Sequence, residues 1–347
     1  MNRTPLQHRV PHVSPLRHGF AQRPGTNTEA TPGPQLVPPR RPHHSPLALW
    51  HLLSLDAPTV AALWTLFIAH SSRIPLPWQA PAAMFAAVWM IYAADRLLDA
   101  RLLGIYNSAN ILGAPHLAFE MWVSTDLNHR DTHHKPGLEP RHRFHHHHRS
   151  RFLAIIALST LTLVYLLYRI DPRALYLYAL LATLLAAWML LIHIRPLPND
   201  LTQRLPKELA VGLFFPAAVF IPTITRAPWL RPTLLPAAAL FACVCTLNCL
   251  YLYAWEHPTP TPHAHLTTRW ATAHLAPIAT LTLILSATTA ALTHHTPATT
   301  LPALACALSS AALLLLHALR HRLSPLHLRA TADLVLLTPL LLLPFAR

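Results

Sequence analysis

The chain has 347 residues, of which 53% are apolar and only 12% are charged, and its formal net charge is +14. Because a soluble globular domain carries about 25% charged residues, this composition excludes an ordinary soluble domain and favours a protein of the lipid bilayer. The basic residues are divided among many connecting segments without a nucleic-acid-binding motif, so we expect no nucleic acid partner.

Residues 1–45 are rich in Pro, Arg and His and contain few large apolar side chains. Such a segment cannot bury enough apolar surface to fold, so we predict a disordered cytoplasmic tail. It also lacks the apolar core and small-residue cleavage site of a secretory signal. The folded domain is therefore predicted to cover residues 46–347.

Long apolar runs separated by polar connections occupy the sequence after residue 46. Because a helix needs about 20 apolar residues to cross the hydrocarbon layer, we predict an all-α polytopic membrane bundle of about nine transmembrane helices. The predicted spans are 51–70, 81–103, 152–169, 173–194, 207–225, 232–254, 270–292, 299–318 and 330–345.

Lys and Arg are concentrated in the tail and in the connections that follow the second, fourth and eighth predicted spans. Cytoplasmic loops of membrane proteins carry this excess. We therefore predict a multi-pass protein of the inner (plasma) membrane with a cytoplasmic N-terminus. In this orientation, most acidic residues of the spans lie at the cytoplasmic ends of helices.

The second apolar run, MFAAVWMIYAADRLLDARLL at 84–103, contains Asp95, Arg96, Asp99 and Arg101. Residues four apart share one face of a helix, so both aspartates are expected to point into the bundle. Two adjacent carboxylates repel each other unless a cation joins them, and Mg²⁺ binds one or two carboxylates together with water and phosphate oxygens. The alternative is that each aspartate pairs with a neighbouring arginine.

The nine-span layout and the DRLLD segment resemble the UbiA prenyltransferase family over about residues 50–345. Asp95 and Asp99 match the two aspartates of the family's first signature, whereas Ile91 and Tyr92 replace the Asn and acidic residue that precede them. The second signature region reads LNCLYLYAWEHP at 247–258. Its single acidic residue is Glu256.

The resemblance implies transfer of an isoprenoid group from a prenyl diphosphate to an aromatic or lipid acceptor at the cytoplasmic face. It implies catalytic roles for Asp95, Asp99 and Glu256, with Mg²⁺ bound by the two aspartates. The residues implied in diphosphate binding are Arg96, Arg195, Arg204, Lys207 and Asn248. For each basic residue, a role in membrane topology alone is the alternative.

A histidine-rich cytoplasmic loop is predicted at 104–150. Its segments HRDTHH at 129–134 and HRFHH at 142–146 resemble the His boxes of membrane di-iron desaturases and hydroxylases. In that alternative, the metal ligands are His129, His133, His134, His142, His145 and His146. The simpler interpretation is a solvated basic loop, because no other loop repeats the pattern.

A non-enzymatic membrane transporter is the third alternative. Transporters often contain paired broken helices in corresponding halves of the chain. Prolines do interrupt the predicted spans here, but they form no matching pair. The sequence therefore favours prenyl transfer over transport.

Overall fold

A computed structural model of the protein describes residues 45–112, 147–194, 207–257 and 265–346, with side-chain surroundings for all of them except 98–112, 189–194 and 207. All regular structure in these ranges is helical, which confirms the predicted all-α class. Residues 1–44 of the predicted tail, both His boxes, Arg195 and Arg204 lie outside the described residues.

Twelve α-helices follow one another along the described part of the chain. They are α1 (Pro46–Leu52), α2 (Asp56–Ser71), α3 (Gln79–Leu112), α4 (Arg149–Leu167), α5 (Pro172–Ile194), α6 (Lys207–Arg226), α7 (Arg231–Glu256), α8 (Leu266–Ala273), α9 (Leu275–Leu292), α10 (Pro297–Leu319), α11 (Pro325–Leu334) and α12 (Pro339–Leu342). Short 3₁₀ turns lie at Pro228–Leu230, Arg320–Arg322, Val335–Leu337 and Leu343–Phe345.

Six helical segments of the described chain are long and apolar enough to cross a bilayer. They are Arg149–Leu167, Glu208–Arg226, Pro228–Glu256, Leu275–Leu292, Pro297–Arg322 and Pro325–Phe345. The pair formed by α1 and α2, bent by 90°, makes a seventh if it is one span. This composition is typical of a polytopic membrane protein, and the predicted total of nine spans stays a prediction.

Helix α3 is longer than the span predicted at 81–103. Its 34 residues extend about 51 Å at 1.5 Å per residue, whereas the hydrocarbon layer is about 30 Å thick. Residues 104–112, predicted as the start of the histidine-rich loop, are the last turns of this helix, and Arg149 near the predicted loop end begins α4. Helix therefore occupies both ends of the segment 104–150, and residues 113–146 between them lie outside the described part.

The apolar core lies between α2, α6, α7, α10 and the C-terminal segment. At its centre, the fully buried Trp64 ring stacks on Phe241 with ring centroids 3.8 Å apart, and Phe67 meets Trp64 edge-on. Trp64 Nε1 also donates a hydrogen bond of 2.8 Å to the carbonyl oxygen of Leu336. One side chain thus connects α2 with α7 and with the turn that follows α11.

The helices α4 and α5 lie at the edge of the bundle. Along α4, at least half of the surface of several apolar side chains is exposed. They are Leu153 (58%), Leu158 (63%), Leu161 (70%) and Val164 (50%). In a membrane protein such a face meets lipid tails, because apolar side chains need no further protein partner in hydrocarbon.

Helices α6 and α7 approach closely at Gly212, and we predict that Gly212→Ala destabilises the protein. A Cβ atom at this position would lie 1.8 Å from Thr246 Oγ1 and 3.2 Å from the carbonyl oxygen of Ala242. Overpacking of this kind costs about 1–3 kcal/mol, which we expect to appear as a lower melting temperature in detergent. Adding Thr246→Ala removes the closest contact and should recover most of the lost stability. Equal stability of Gly212→Ala and wild type would contradict the prediction.

Candidate functional site

Acidic side chains from several helices lie at one end of the bundle, here called the acidic end. These residues are Asp56 at the start of α2, Asp95 at the middle of α3, Glu208 in the first turn of α6, Glu256 at the end of α7, and Asp333 in α11. Antiparallel packing brings these positions to the same level. Asp171, between α4 and α5, lies at the opposite end beside Pro77 and Arg226.

A buried ion-pair network forms where α1, α2 and α3 meet. The Nδ1 atom of His51 lies 2.5 Å from Asp56 Oδ2, and an Arg96 guanidinium nitrogen lies 3.3 Å from the same oxygen. A second Arg96 nitrogen donates to the carbonyl oxygen of His51 at 2.5 Å. His51, Asp56 and Arg96 are only 3%, 1% and 8% exposed, so these charged groups interact with little screening from water.

Asp333 and Asn248 extend this network to α11 and α7. The Oδ2 atom of Asp333 lies 3.9 Å from His51 Nδ1, and Asn248 Nδ2 donates a hydrogen bond of 3.1 Å to Asp333 Oδ1. Ionisable groups inside a membrane bundle are costly, and they usually mark ion or substrate sites. We call His51, Asp56, Arg96, Asn248 and Asp333 the buried charge cluster.

The local fold around the α1–α2 bend explains how His51 and Asp56 meet. Ser54 has a φ of 59°, a left-handed conformation in the connection where the chain bends by 90° between the two helices. Asp56 Oδ1 then accepts a hydrogen bond of 3.0 Å from the Ala57 amide. A carboxylate in the first turn is also favoured by the helix dipole, so Asp56 is held by its own helix as well as by the cluster.

The structure separates the residues predicted from the DRLLD segment. Arg96 points into the bundle, whereas Asp95 is exposed, so the expectation that Asp95 would point inward is not met. Neighbouring helical residues differ by about 100° around the axis, and the burial of Arg96 therefore turns Asp95 away. The side chain of Asp99 lies outside the described part, and the predicted Mg²⁺ on these aspartates stays a prediction.

The other predicted residues lie in different surroundings. Asn248 belongs to the buried charge cluster, whereas Glu256 lies two turns further along α7 and forms an ion pair with Arg329 of α11. Lys207 begins α6, but its side-chain surroundings are not described. Arg96 already donates to His51 and Asp56, so the guanidinium predicted to bind diphosphate is engaged within the protein.

Sequence reasoning missed His51 as a site residue and gave no site role to Asp56 or Asp333. The segment HLLSLD at 51–56 offered a signal, because a histidine and an aspartate interrupt an otherwise apolar run. Their partner Asp333 lies far away in sequence, and only the tertiary fold reveals the contact. One nitrogen or oxygen atom from each of these three residues lies within 4.8 Å of the others, which is a geometry that could hold a metal ion.

The fold and this cluster define a class: an all-helical protein with several apolar helices typical of membrane spans and a buried group of charges at one end. No protein-family model, curated protein or solved structure matches the chain. Its function is therefore argued from its own residues.

Proposed function

We propose that the chain is a multi-pass membrane enzyme that transfers an isoprenoid group from a prenyl diphosphate to an aromatic or lipid acceptor. In this proposal the fold is a nine-span bundle similar to the UbiA family, the protein lies in the inner membrane, and the acidic end faces the cytoplasm. The supporting observation is the separation of the molecule into an apolar bundle and one end where charged side chains from several helices meet. A prenyl diphosphate is divided in the same way, into an apolar tail and a charged head.

The donor set implied for Mg²⁺ includes Asp99, whose side chain lies outside the described part. Asp95 is exposed, and Glu256 forms an ion pair with Arg329. We therefore derive no step of the reaction through Mg²⁺. Replacing Asp95 and Asp99 tests the roles that the resemblance implies for them.

Arg329 is a basic side chain at the acidic end that lies near enough to the surface to meet a diphosphate. Its side chain is 17% exposed and that of its partner Glu256 is 29% exposed, so the pair lies near the surface, whereas Arg96 is buried. Arginine binds phosphate oxygens with two parallel hydrogen bonds. A diphosphate can therefore compete with Glu256 for the guanidinium and hold the charged head at the mouth of the bundle.

We predict that Arg329→Gln weakens binding of a prenyl diphosphate about tenfold, because one charge-assisted hydrogen bond contributes about 1.5–3 kcal/mol. The measurement is KM for diphosphate release by the purified chain in lipid nanodiscs, over donors of increasing prenyl length. Arg173→Gln, which changes an exposed arginine at the opposite end, is the matched control and should leave KM unchanged. Equal effects of both replacements on KM would show that Arg329 does not bind the diphosphate.

The same assay tests the function itself. Wild type should release diphosphate, and Asp95→Asn and Asp99→Asn should each abolish release while leaving membrane insertion intact. Full activity of either variant would refute the role of the DRLLD segment. Absence of diphosphate release by wild type with every donor, in the presence of Mg²⁺ and a lipid extract that supplies acceptors, would refute prenyl transfer.

Ion-coupled transport is a second candidate, favoured by the buried charge cluster. His, Asp and Arg groups that contact one another inside a helical bundle also form proton relays in transporters. In that case wild type should take up protons into liposomes with its substrate and without bond cleavage, and Asp333→Asn should abolish this uptake.

The di-iron alternative rests on the His boxes, which lie outside the described residues, and iron retained at two atoms per chain would support it.

A further inference from the structure

We propose that His51, Asp56 and Asp333 bind a divalent first-row transition metal ion, with Zn²⁺ as the reference ion, inside the acidic end. One ligand atom from each residue lies within 4.8 Å of the other two. Imidazole nitrogen and carboxylate oxygen are both zinc ligands, and reactive zinc sites use three protein ligands with a fourth position left for water. This site is distinct from the Mg²⁺ site implied at Asp95 and Asp99.

The distances require only a small adjustment to accept an ion. Zinc lies about 2.0–2.2 Å from nitrogen and oxygen ligands, so tetrahedral ligand atoms are about 3.3 Å apart. The Nδ1 atom of His51 now lies 2.5 Å from Asp56 Oδ2 and 3.9 Å from Asp333 Oδ2. These separations bracket the required value, and side-chain shifts below about 1 Å would equalise them.

Neighbouring groups hold the three side chains in place. Arg96 donates to the carbonyl oxygen of His51 and to Asp56, and Asn248 donates to Asp333. Metal ligands in proteins are usually oriented by such outer hydrogen bonds, which lower the cost of assembling the site. The ligands come from α1, α2 and α11, so an ion would join three helices that are distant in sequence.

Two buried polar atoms in the cluster lack a hydrogen-bond partner among the described residues. They are His51 Nε2 and Asn248 Oδ1, on side chains that are 3% and 5% exposed. The Asn248 amide oxygen belongs to the same group that donates to Asp333, so it lies beside the proposed site. An orphaned acceptor in an apolar bundle costs free energy, and an ion with its bound water would supply the missing partner.

The charges of the cluster are consistent with a divalent ion. Two carboxylates and the Arg96 guanidinium sum to one negative charge when His51 is neutral. A divalent ion that carries a hydroxide adds one positive charge and brings the sum to zero. A metal ligand must bind without its proton, so metal binding releases any proton that the three ligand atoms hold in the metal-free protein.

The ligand set selects the kind of metal. Mg²⁺ prefers oxygen ligands and keeps several waters, whereas imidazole nitrogen favours Zn²⁺ and other first-row transition ions. A nitrogen ligand this deeply buried therefore favours Zn²⁺ over Mg²⁺. Co²⁺, which occupies similar sites and absorbs visible light, is a convenient probe.

The test uses the full chain purified in detergent and dialysed against a zinc buffer that holds free Zn²⁺ low enough to leave exposed histidines empty. We expect about one Zn²⁺ per chain more in wild type than in His51→Gln or Asp333→Asn. Substituting Co²⁺ should give visible bands of tetrahedral coordination that both variants lose. His70→Gln and Asp171→Asn change a histidine and an aspartate at the opposite end, and both should retain the metal of wild type.

Thermal unfolding distinguishes variants that fold but do not bind the metal from variants that misfold. The three ligands come together only in the folded chain, so Zn²⁺ at the buffered concentration should raise the melting temperature of wild type and of both controls by about 5 °C. Neither His51→Gln nor Asp333→Asn should respond, and Mg²⁺ should shift none of the proteins. A variant too unstable to purify is replaced by His51→Cys or Asp333→Glu, which keep a metal ligand and should restore binding.

Equal zinc content in wild type, His51→Gln and Asp333→Asn would overturn the proposal, as would a melting temperature of wild type that Zn²⁺ leaves unchanged. The readouts are metal content and unfolding, and they need no prenyl donor. Zinc binding without diphosphate release would refute the proposed function alone, whereas diphosphate release without zinc binding would refute this site alone.

Discussion

Asp56→Asn is expected to destabilise the protein by about 3–5 kcal/mol, because removing one partner of a buried ion pair leaves the other charge without compensation. The replacement keeps the shape of the side chain but removes the charge that faces His51 and Arg96, at 2.5 Å and 3.3 Å. The free energy of unfolding in mixed detergent micelles measures the effect. Asp171→Asn, at the opposite end of the bundle, should cost less than about 0.5 kcal/mol.

A double replacement separates the lost ion pair from other consequences of the change. In Asp56→Asn combined with Arg96→Gln, no uncompensated guanidinium remains, so the loss should be smaller than the sum of the single losses by about 0.5–3 kcal/mol. Simple additivity of the two losses would show that Asp56 and Arg96 do not stabilise each other. The prediction would then fail even if each single variant were unstable.

Trp64→Ala is the second large expected effect, again about 3–5 kcal/mol, because truncating a buried aromatic side chain leaves a cavity. Trp64 is fully buried, stacks on Phe241 and donates to Leu336. Unfolding in the same micelles measures the loss. Trp229→Ala removes an indole that is 70% exposed and is the matched control, with little change expected.

Trp64→Phe divides the contribution of Trp64 between packing and hydrogen bonding. Phenylalanine keeps much of the stacking on Phe241 but leaves the Leu336 carbonyl oxygen without its donor, which costs about 1–3 kcal/mol. We therefore expect an intermediate stability for this variant. If Trp64→Ala proved as stable as Trp229→Ala, the stacked core would not hold α2 against α7 as described.

The helical class could be predicted from the sequence because long apolar runs are a local property. The runs at 232–254 and 299–318 correspond to α7 and α10 within a few residues. The position where α3 ends could not be predicted from an apolar run. Residues 104–112 are only mildly apolar, and the composition of a helix that leaves the bilayer resembles that of a loop.

The candidate site was less predictable, because helical spacing shows which residues share a face but not which way the face is turned. The spacing of Asp95 and Asp99 was correct as an observation, yet rotation of α3 places Arg96 inside. There Arg96 contacts Asp56, which lies 40 residues away in the sequence. Contacts of this range depend on the packed bundle, and no local pattern contains them.

The short α1 helix has a consequence for the durability of this arrangement. A peptide of its length, 7 residues, is not helical alone in water, since nucleation outweighs so few backbone bonds. It is anchored instead by docking, through Ser45 to His327 and through His51 to Arg96. Detachment of this short segment would expose Asp56 and Arg96 to water, so the docking of α1 governs access to the buried charge cluster.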